Sequence, residues 1–146
     1  MKVLVQRVLE ASVIVDNKIV SKIDRGLLLF LGIRKEDRIE TTKWLAEKVS
    51  HLRIFSDENG KMNRSLKEVN GKALVVSQFT LYGNCLNGRR PDFIQAMGGP
   101  LAKGIYEQFL LELRKKEIPT EAGLFGADMK IFLINDGPVT LLIEKD

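Results

Sequence analysis

The stretch MKIFLINDGPVTLLIE (Met129–Glu144) decides how the last part of the sequence is interpreted, because two apolar, β-prone runs flank the polar group NDGP. A tight hairpin between the runs would need Asn-Gly or Asp-Gly followed by a residue with an N–H group. Pro138 has no N–H to donate, and proline is excluded from the middle of a regular ladder. The pattern therefore predicts two strands, ADMKIFLI and VTLLIE, and a connection that is not an ordinary turn.

β-type patterning also dominates the rest of the chain. Apolar and polar residues alternate in KVLVQRVLEASVIV, which predicts a strand. A hairpin to KIV is predicted next, because the turn residues Asp16 and Asn17 both tolerate a positive φ. The run LLLFLGI after Gly26 is apolar on both faces and predicts a central strand. RIF predicts a short strand before a turn at Asn59-Gly60, and KALVVSQFTLY (72–82) predicts a further strand.

Two segments have the period of amphipathic helices. The first is predicted to start at Asp37, as N-cap, with Glu40 three residues on, and the second at Pro100. Their apolar stripes are Ile39, Thr42, Leu45, Ala46, Val49 and Leu52, and then Leu101, Ile105, Phe109 and Leu113 before Pro119. We therefore predict one α+β, mainly β domain over residues 1–146. Its two sheets close towards a barrel-like core, with two principal helices packed on it.

Length and composition exclude several protein classes. The chain has 146 residues, 45% hydrophobic and 29% charged, which is typical of one soluble domain. No apolar run approaches the roughly 20 residues that span a bilayer. Gln6 and Arg7 interrupt the first apolar run, which excludes a signal peptide and favours the cytoplasm. Cys85 is the only cysteine, so an internal disulfide and a cysteine metal cluster are excluded.

Familiar catalytic motifs are missing from the sequence. There is no G-x-S-x-G elbow, P-loop or dinucleotide-binding glycine motif, so no cofactor and no metal are predicted. His51 is the only histidine and falls on the predicted first helix beside Leu52, which favours a structural or surface role over a catalytic triad. Cys85 has no visible partner that would make it a nucleophile.

Two polar groups interrupt the β-type sequence: SQFT (Ser77–Thr80) and NDGP (Asn135–Pro138). Neighbouring backbone could satisfy the side chains of the first group. Only about 5–6% of X-Pro bonds in folded proteins are cis, so a Gly-Pro pair is ordinarily a trans turn. The net charge of +4 is small, and the basic residues are interleaved with acidic ones, as is typical of a solvated surface. The pair Arg89-Arg90 could contact phosphate but does not by itself show an anionic partner. The residues alone thus indicate a soluble α+β domain that could bind an anion.

The combination of VVSQFTLYG, GRRPDF, FGADM and NDGPVT, at these separations, resembles the D-aminoacyl-tRNA deacylase family. The likeness continues through QRVLEASVIVD, GLLLFLGI and RIFSDENGKMN and so covers essentially the whole chain. It implies a homodimer with a barrel-like fold and with neither a membrane nor DNA as partner. It also implies hydrolysis of the ester between a D-amino acid and the 3′-terminal adenosine of tRNA. Glycyl-tRNA, including glycine mischarged on tRNA(Ala), is the second implied substrate.

The resemblance also assigns roles to residues of this sequence. Ser77, Gln78, Phe79 and Thr80 form the implied catalytic group, with Thr80 either positioning the substrate or acting as nucleophile. Gly137 and Pro138, joined by a cis bond, enter the partner's active site and reject L-amino acids, while Arg89 and Arg90 contact tRNA. Met129 either packs against the adenosine or the Gly-Pro loop or is a core residue. Many relatives have Ser at the position of Asp92. The acidic side chain of Asp92 would either weaken the tRNA contact or cap the following helix. A non-catalytic RNA-binding module and a hydrolase of other small acyl esters are the alternatives.

Overall fold

Strand β1 (Lys2–Val15) organises the sheet, because it pairs antiparallel with three other strands. The computed structural model describes residues 1–146. The predicted hairpin after β1 is confirmed, with Asp16 and Asn17 at φ 48° and 61°. The other strands are β2 (Lys18–Ile23), β3 (Gly26–Gly32), β4 (Phe55–Ser56), β5 (Met62–Arg64), β6 (Lys72–Ser77), β7 (Thr120–Ala122) and β8 (Lys130–Glu144). The helices are α1 (Thr41–His51), a 3-10 helix (Phe79–Tyr82) and α2 (Gly99–Lys115).

Six strands form one curled sheet in the order β2-β1-β3-β6-β7, with β8 also on β1, and β4 and β5 form a separate small hairpin. β3 is the predicted central strand, and it runs parallel to β6, as β6 does to β7. Strand β2 also approaches β6 and β7, so the sheet curls towards a barrel. One core lies between the sheet and the helices, and a second lies within the curl. The predicted mainly β, α+β fold with two helices is confirmed.

Both helices differ from the prediction at their first turns. Helix α1 begins at Thr41 rather than at Asp37, whose carboxylate instead accepts the Arg34 N–H at 2.7 Å. Helix α2 has Pro100 in its first turn as predicted, but Leu101 is 75% exposed and Ala102 takes its place in the core. The helices pack on each other, and neither has the length and hydropathy needed to cross a membrane.

The prediction of two strands around NDGP is wrong, because both runs belong to β8. Gln6 pairs with Thr140 and Val8 pairs with Asn135, so residues 136–139 lie opposite Arg7 alone. The chain does not reverse. It bulges out over these four residues and then resumes the same ladder with β1. Pro138 is tolerated there because a bulge residue has no ladder bond to donate.

Two buried tyrosines differ in what their hydroxyl groups contact. The Tyr106 hydroxyl on α2 donates to the Val75 carbonyl at 2.9 Å, and the Gly123 carbonyl lies at 3.4 Å. Burial raises the pKa of Tyr106 to about 12, so the hydroxyl keeps its proton at neutral pH. Tyr82 is only 5% exposed, and its hydroxyl has no hydrogen-bond partner. Tyr106 therefore connects α2 to β6, whereas the Tyr82 hydroxyl contributes no such link.

We expect Tyr106→Phe to lower the free energy of unfolding by about 1 kcal/mol, because it removes the hydrogen bond to the Val75 carbonyl, which then keeps only the Gly123 N–H as donor. Tyr82→Phe is the matched control and should change stability by less than about 0.5 kcal/mol, since no hydrogen bond is lost. Urea denaturation of the two variants measures the difference. Equal losses in the two variants would contradict the assignment of the stabilising bond to Tyr106.

Candidate active site

A cavity of about 580 Å³ opens where the carboxyl ends of β3 and β6 meet the start of α2. Parallel strands end at the same edge of a sheet, and this edge is where ligand sites commonly form. The walls are mostly hydrophobic, as expected for a site that receives a flat ring or an apolar side chain. They are formed by Leu31, Ile33, Val76–Phe79, Phe93, Ala96–Gly99, Ala102, Phe125–Met129 and Ile131.

The polar group at 77–80 forms the end of β6 and the turn beyond it. The predicted strand 72–82 is too long: it ends at Ser77, after which the Gln78 N–H donates to the Leu31 carbonyl at 2.8 Å. The chain then enters the 3-10 helix, which packs closely on Gly32. A Cβ at Gly32 would lie 3.0 Å from the Leu81 Cβ, so glycine permits this contact.

The start of the 3-10 helix leaves backbone donors unused. The first N–H groups of such a helix have no intrahelical acceptor. Phe79 and Thr80 occupy these first positions, and Gln78 and Phe79 lie in the cavity wall. Thr80 is outside the wall, and its hydroxyl accepts a hydrogen bond from the Gln78 amide. Free N–H groups beside an apolar cavity can bind a carbonyl oxygen or an oxyanion.

Met129 forms part of the opposite wall. A Cβ at Gly123 would lie 2.7 Å from the Met129 sulfur, so that glycine provides the space for the side chain. Met129 also packs against the core within the curl. Met129 therefore belongs both to the cavity wall and to the edge of this core. Phe125 lines the cavity beside it, and the motif FGADM alone did not indicate this position.

Gly137 and Pro138 lie outside the cavity wall of their own chain. Their peptide bond is cis, and both residues are exposed. The nearest atom to a Cβ built on Gly137 is the Asn135 Oδ1 at 3.9 Å. The packing of this chain therefore does not require glycine at position 137.

Arg7 holds the bulge in place and was missed as a site residue. It is 7% exposed and its guanidinium donates to the Ile54 carbonyl at 2.6 Å and to the Gly137 carbonyl at 3.3 Å. The same group forms an ion pair with Asp136 at 2.9 Å. The sequence did contain a sign of this role. Arg7 lies two residues after buried Val5, so the strand places its charged side chain on the inward face, where charges are rare unless paired.

The basic loop between the 3-10 helix and α2 is closed by Asn84 and Asp92. Their backbones exchange two hydrogen bonds of 2.9 and 3.1 Å, and the Asn84 amide donates to the Asp92 carboxylate at 3.1 Å. Asp92 therefore does not cap α2, which begins seven residues later at Gly99. Arg89 and Arg90 are exposed in this loop and lie outside the cavity wall.

Neither candidate for conventional nucleophilic catalysis contacts the cavity. His51 is exposed on α1 and lies 3.1 Å from the Glu47 carboxylate. Cys85 is exposed in the basic loop. A triad through His51 is therefore excluded, in agreement with the sequence-based interpretation of this residue.

Comparison with known proteins identifies the family. The model of the D-Tyr-tRNA(Tyr) deacylase family matches residues 4–144. The chain belongs to this family. The D-aminoacyl-tRNA deacylase of Protochlamydia amoebophila is 56% identical, over 99% of this chain and 96% of that protein. The one of Thermotoga petrophila is 54% identical, over 99% and 97%. The predicted membership of a deacylase family of ester hydrolases is confirmed.

Solved structures agree with the deacylase fold. A structure titled c-Myc DNA Unwinding Element Binding Protein superposes with a TM-score of 0.93 at 42% identity, covering 100% of this chain and 99% of that one. A probable eukaryotic D-amino acid tRNA deacylase has a TM-score of 0.81 at 19% identity, with 97% of each chain covered. At that identity the second likeness concerns the fold alone.

Proposed function

We propose that this protein hydrolyses the ester bond of D-aminoacyl-tRNA and releases free D-amino acid and tRNA. The observation that carries the proposal is the apolar cavity with Phe79 in its wall, at the start of a 3-10 helix whose first N–H groups have no intrahelical acceptor. Water adds to the ester carbonyl carbon, and the bond to the 3′ oxygen of the terminal adenosine then breaks. The 3′ oxygen takes a proton, so that a carboxylic acid and an intact tRNA are formed.

Backbone donors supply the main catalytic stabilisation in this proposal. The ester carbonyl oxygen becomes negative as water adds, and the N–H groups at Phe79 and Thr80 bind it. Such a donor is commonly worth about 3–4 kcal/mol in the transition state. Ser77 and Gln78 complete the wall, and Gln78 fixes the Thr80 hydroxyl. The adjacent ammonium already activates the ester, and the tRNA 2′-hydroxyl assists the attacking water.

Chirality is read by the backbone of Gly137 and Pro138, which enter the active site of the partner subunit. Their carbonyl groups hold the substrate ammonium, and the oxyanion site holds the ester. Only two substituents on the substrate Cα then remain, and the inward position accepts hydrogen alone. An L-residue is rejected by the clash, a D-residue points its side chain outward, and glycine, including glycine mischarged on tRNA(Ala), passes.

Two features support the homodimer on which this filter depends. The motif and the cavity wall are separate within one chain, so a second subunit has to bring them together. Strand β8 pairs only with β1, which leaves its other edge free. This strand also exposes large apolar side chains, and exposed apolar edges are normally covered in stable proteins. These side chains are Phe132, Ile134, Leu141 and Leu142.

The cytoplasm, where charged tRNA is used, is the compartment in which we expect this activity.

The exposed Arg89 and Arg90 contact tRNA phosphates in this proposal. Phosphate contacts are sensitive to salt, because binding releases counterions. The Michaelis constant for charged tRNA should therefore rise with salt concentration in the wild-type protein. A double Arg89→Gln, Arg90→Gln variant should show a shallower dependence.

Release of amino acid from D-Tyr-tRNA, L-Tyr-tRNA and glycyl-tRNA tests the proposal directly. We expect the D and glycyl substrates to be hydrolysed and the L substrate to be spared. Binding of tRNA with all three esters intact would indicate an RNA-binding module instead. Equal rates on free D-aminoacyl esters and on charged tRNA would indicate a general acyl-ester hydrolase.

Thr80→Val separates the two roles considered for Thr80. We expect the turnover rate to stay within about fivefold of wild type, because in the proposed mechanism the residue donates through its backbone N–H, which valine retains. Single-turnover hydrolysis of D-Tyr-tRNA provides the rate. A loss of about 1000-fold or more, or a trapped acyl group on the Thr80 oxygen, would assign it the role of nucleophile.

A further inference from the structure

Phe93 supports the segment that carries the free N–H groups. Its ring meets the Phe79 ring edge-on, with centroids 5.2 Å apart and planes at 74°. The same ring covers Gly83, where a Cβ would lie only 2.9 Å from the Phe93 Cε1. Phe93 therefore contacts both ends of the 3-10 helix, and it also reaches the cavity wall.

The rest of the chain covers only about half of Phe79. The last ladder bond of this segment is the one from the Gln78 N–H, and the Phe79 ring is 53% exposed. An edge-to-face aromatic pair stabilises a defined ring orientation beyond the effect of burial alone. The contact with Phe93 therefore adds to the backbone hydrogen bonds that set the direction of the Phe79 N–H.

The position of Phe93 is set in turn by the bridge between Asn84 and Asp92. The two backbone hydrogen bonds and the side-chain bond of this bridge close the basic loop immediately before Phe93. The Asp92 carboxylate also accepts the Ile94 N–H at 3.3 Å, which fixes the chain on the other side of Phe93. The ring is thus held by its two neighbours in sequence.

We propose that Phe93 is a positioning residue that aligns the Phe79 N–H with the ester oxygen, and that the Asn84–Asp92 bridge holds Phe93 for this task. The inference rests on the proposed deacylase function. It also gives Asp92 a role within the loop rather than an effect on the tRNA contact. A misaligned donor mainly lowers the rate of the chemical step and leaves substrate binding largely intact.

The test compares Phe93→Leu with Phe93→Tyr and with the control Leu86→Ala. Leucine removes the ring and tyrosine keeps it, whereas Leu86 is 91% exposed in the same loop. We expect Phe93→Leu to lower kcat on D-Tyr-tRNA about 10- to 100-fold with KM changed less than about threefold. Phe93→Tyr should stay within about threefold of wild type, and Leu86→Ala should equal it.

A second measurement judges the inference separately from the deacylase activity. The backbone amide signals of Phe79 and Thr80 in a ¹⁵N NMR spectrum should shift or broaden in Phe93→Leu and stay in place in Phe93→Tyr. Unchanged signals and full activity in Phe93→Leu would overturn the proposal. A raised KM at unchanged kcat would overturn it as well, since the ring would then contact the substrate directly. An inactive wild-type protein would refute the proposed function, and the amide signals would still decide the role of Phe93.

Discussion

Gly137→Ala is expected to lower deacylation of D-Tyr-tRNA about 100-fold or more, because a methyl group would enter the space proposed for the substrate Cα. The same substitution should leave the folded chain intact. A Cβ at this position meets nothing nearer than 3.9 Å within the subunit. The expected combination of lost activity and retained stability is characteristic of a residue that serves a ligand or a partner rather than its own core.

Gly104→Ala is the matched control for this substitution. Gly104 is exposed on α2, and a Cβ there also meets nothing within 4 Å. Alanine in a helix is more favourable than glycine by up to about 1 kcal/mol, so this variant should be somewhat more stable and fully active. Activity assays and urea denaturation of both variants give the comparison. An active Gly137→Ala variant that still spares L-Tyr-tRNA would remove Gly137 from the chiral filter.

Arg7→Met is expected to remove most of the deacylase activity and to destabilise the fold. The guanidinium contacts the Ile54 carbonyl, the Gly137 carbonyl and the Asp136 carboxylate, and methionine replaces none of these contacts. Loss of the donor to the buried Ile54 carbonyl, together with the contacts to Gly137 and Asp136, should cost about 2–3 kcal/mol of unfolding free energy. Activity should fall about 100-fold even under conditions where the variant is folded, because the Gly137 carbonyl loses its fixed direction.

Two variants accompany this experiment. Arg7→Lys keeps the charge but cannot contact three acceptors at once, so we expect an intermediate activity. Arg38→Met removes an arginine that is exposed on the surface, and it should change neither stability nor activity by a measurable amount. Circular dichroism during heating reports the folded fraction in each assay. If folded Arg7→Met had full activity, Arg7 would be a purely structural residue.

Local patterns predicted the elements whose structure depends on local chemistry. The hairpin at Asp16-Asn17, the doubly covered strand β3 and the helix beginning near Pro100 follow from turn residues, apolar runs and period. The single strand β8 could not be predicted in this way. Whether a chain reverses at NDGP depends on the pairing of both flanking runs with β1, which lies more than a hundred residues away in the sequence.

The candidate site was predictable only in part, for a related reason. Gln78 and Met129 were named from the sequence, and both lie in one cavity wall. Phe93 and the start of α2 reach the same cavity through tertiary packing, and nothing in their local sequence indicates this. Arg7 differs from these residues, because its charge at an inward strand position was visible in the sequence but was interpreted only as an interruption of an apolar run.

The ladder between β1 and β8 has a consequence for the order in which the molecule assembles. Its contacts join distant parts of the chain, as in the hydrogen bond from Gln6 to Thr140, which are 134 residues apart. Contacts of such long range form slowly, since the closure of a large loop precedes any gain from pairing. On the ribosome, β1 has to wait with one edge unpaired until β8 has emerged. The bulge that carries Gly137 and Pro138 is therefore among the last structures to form, together with the part of the cavity wall that Met129 and Ile131 provide.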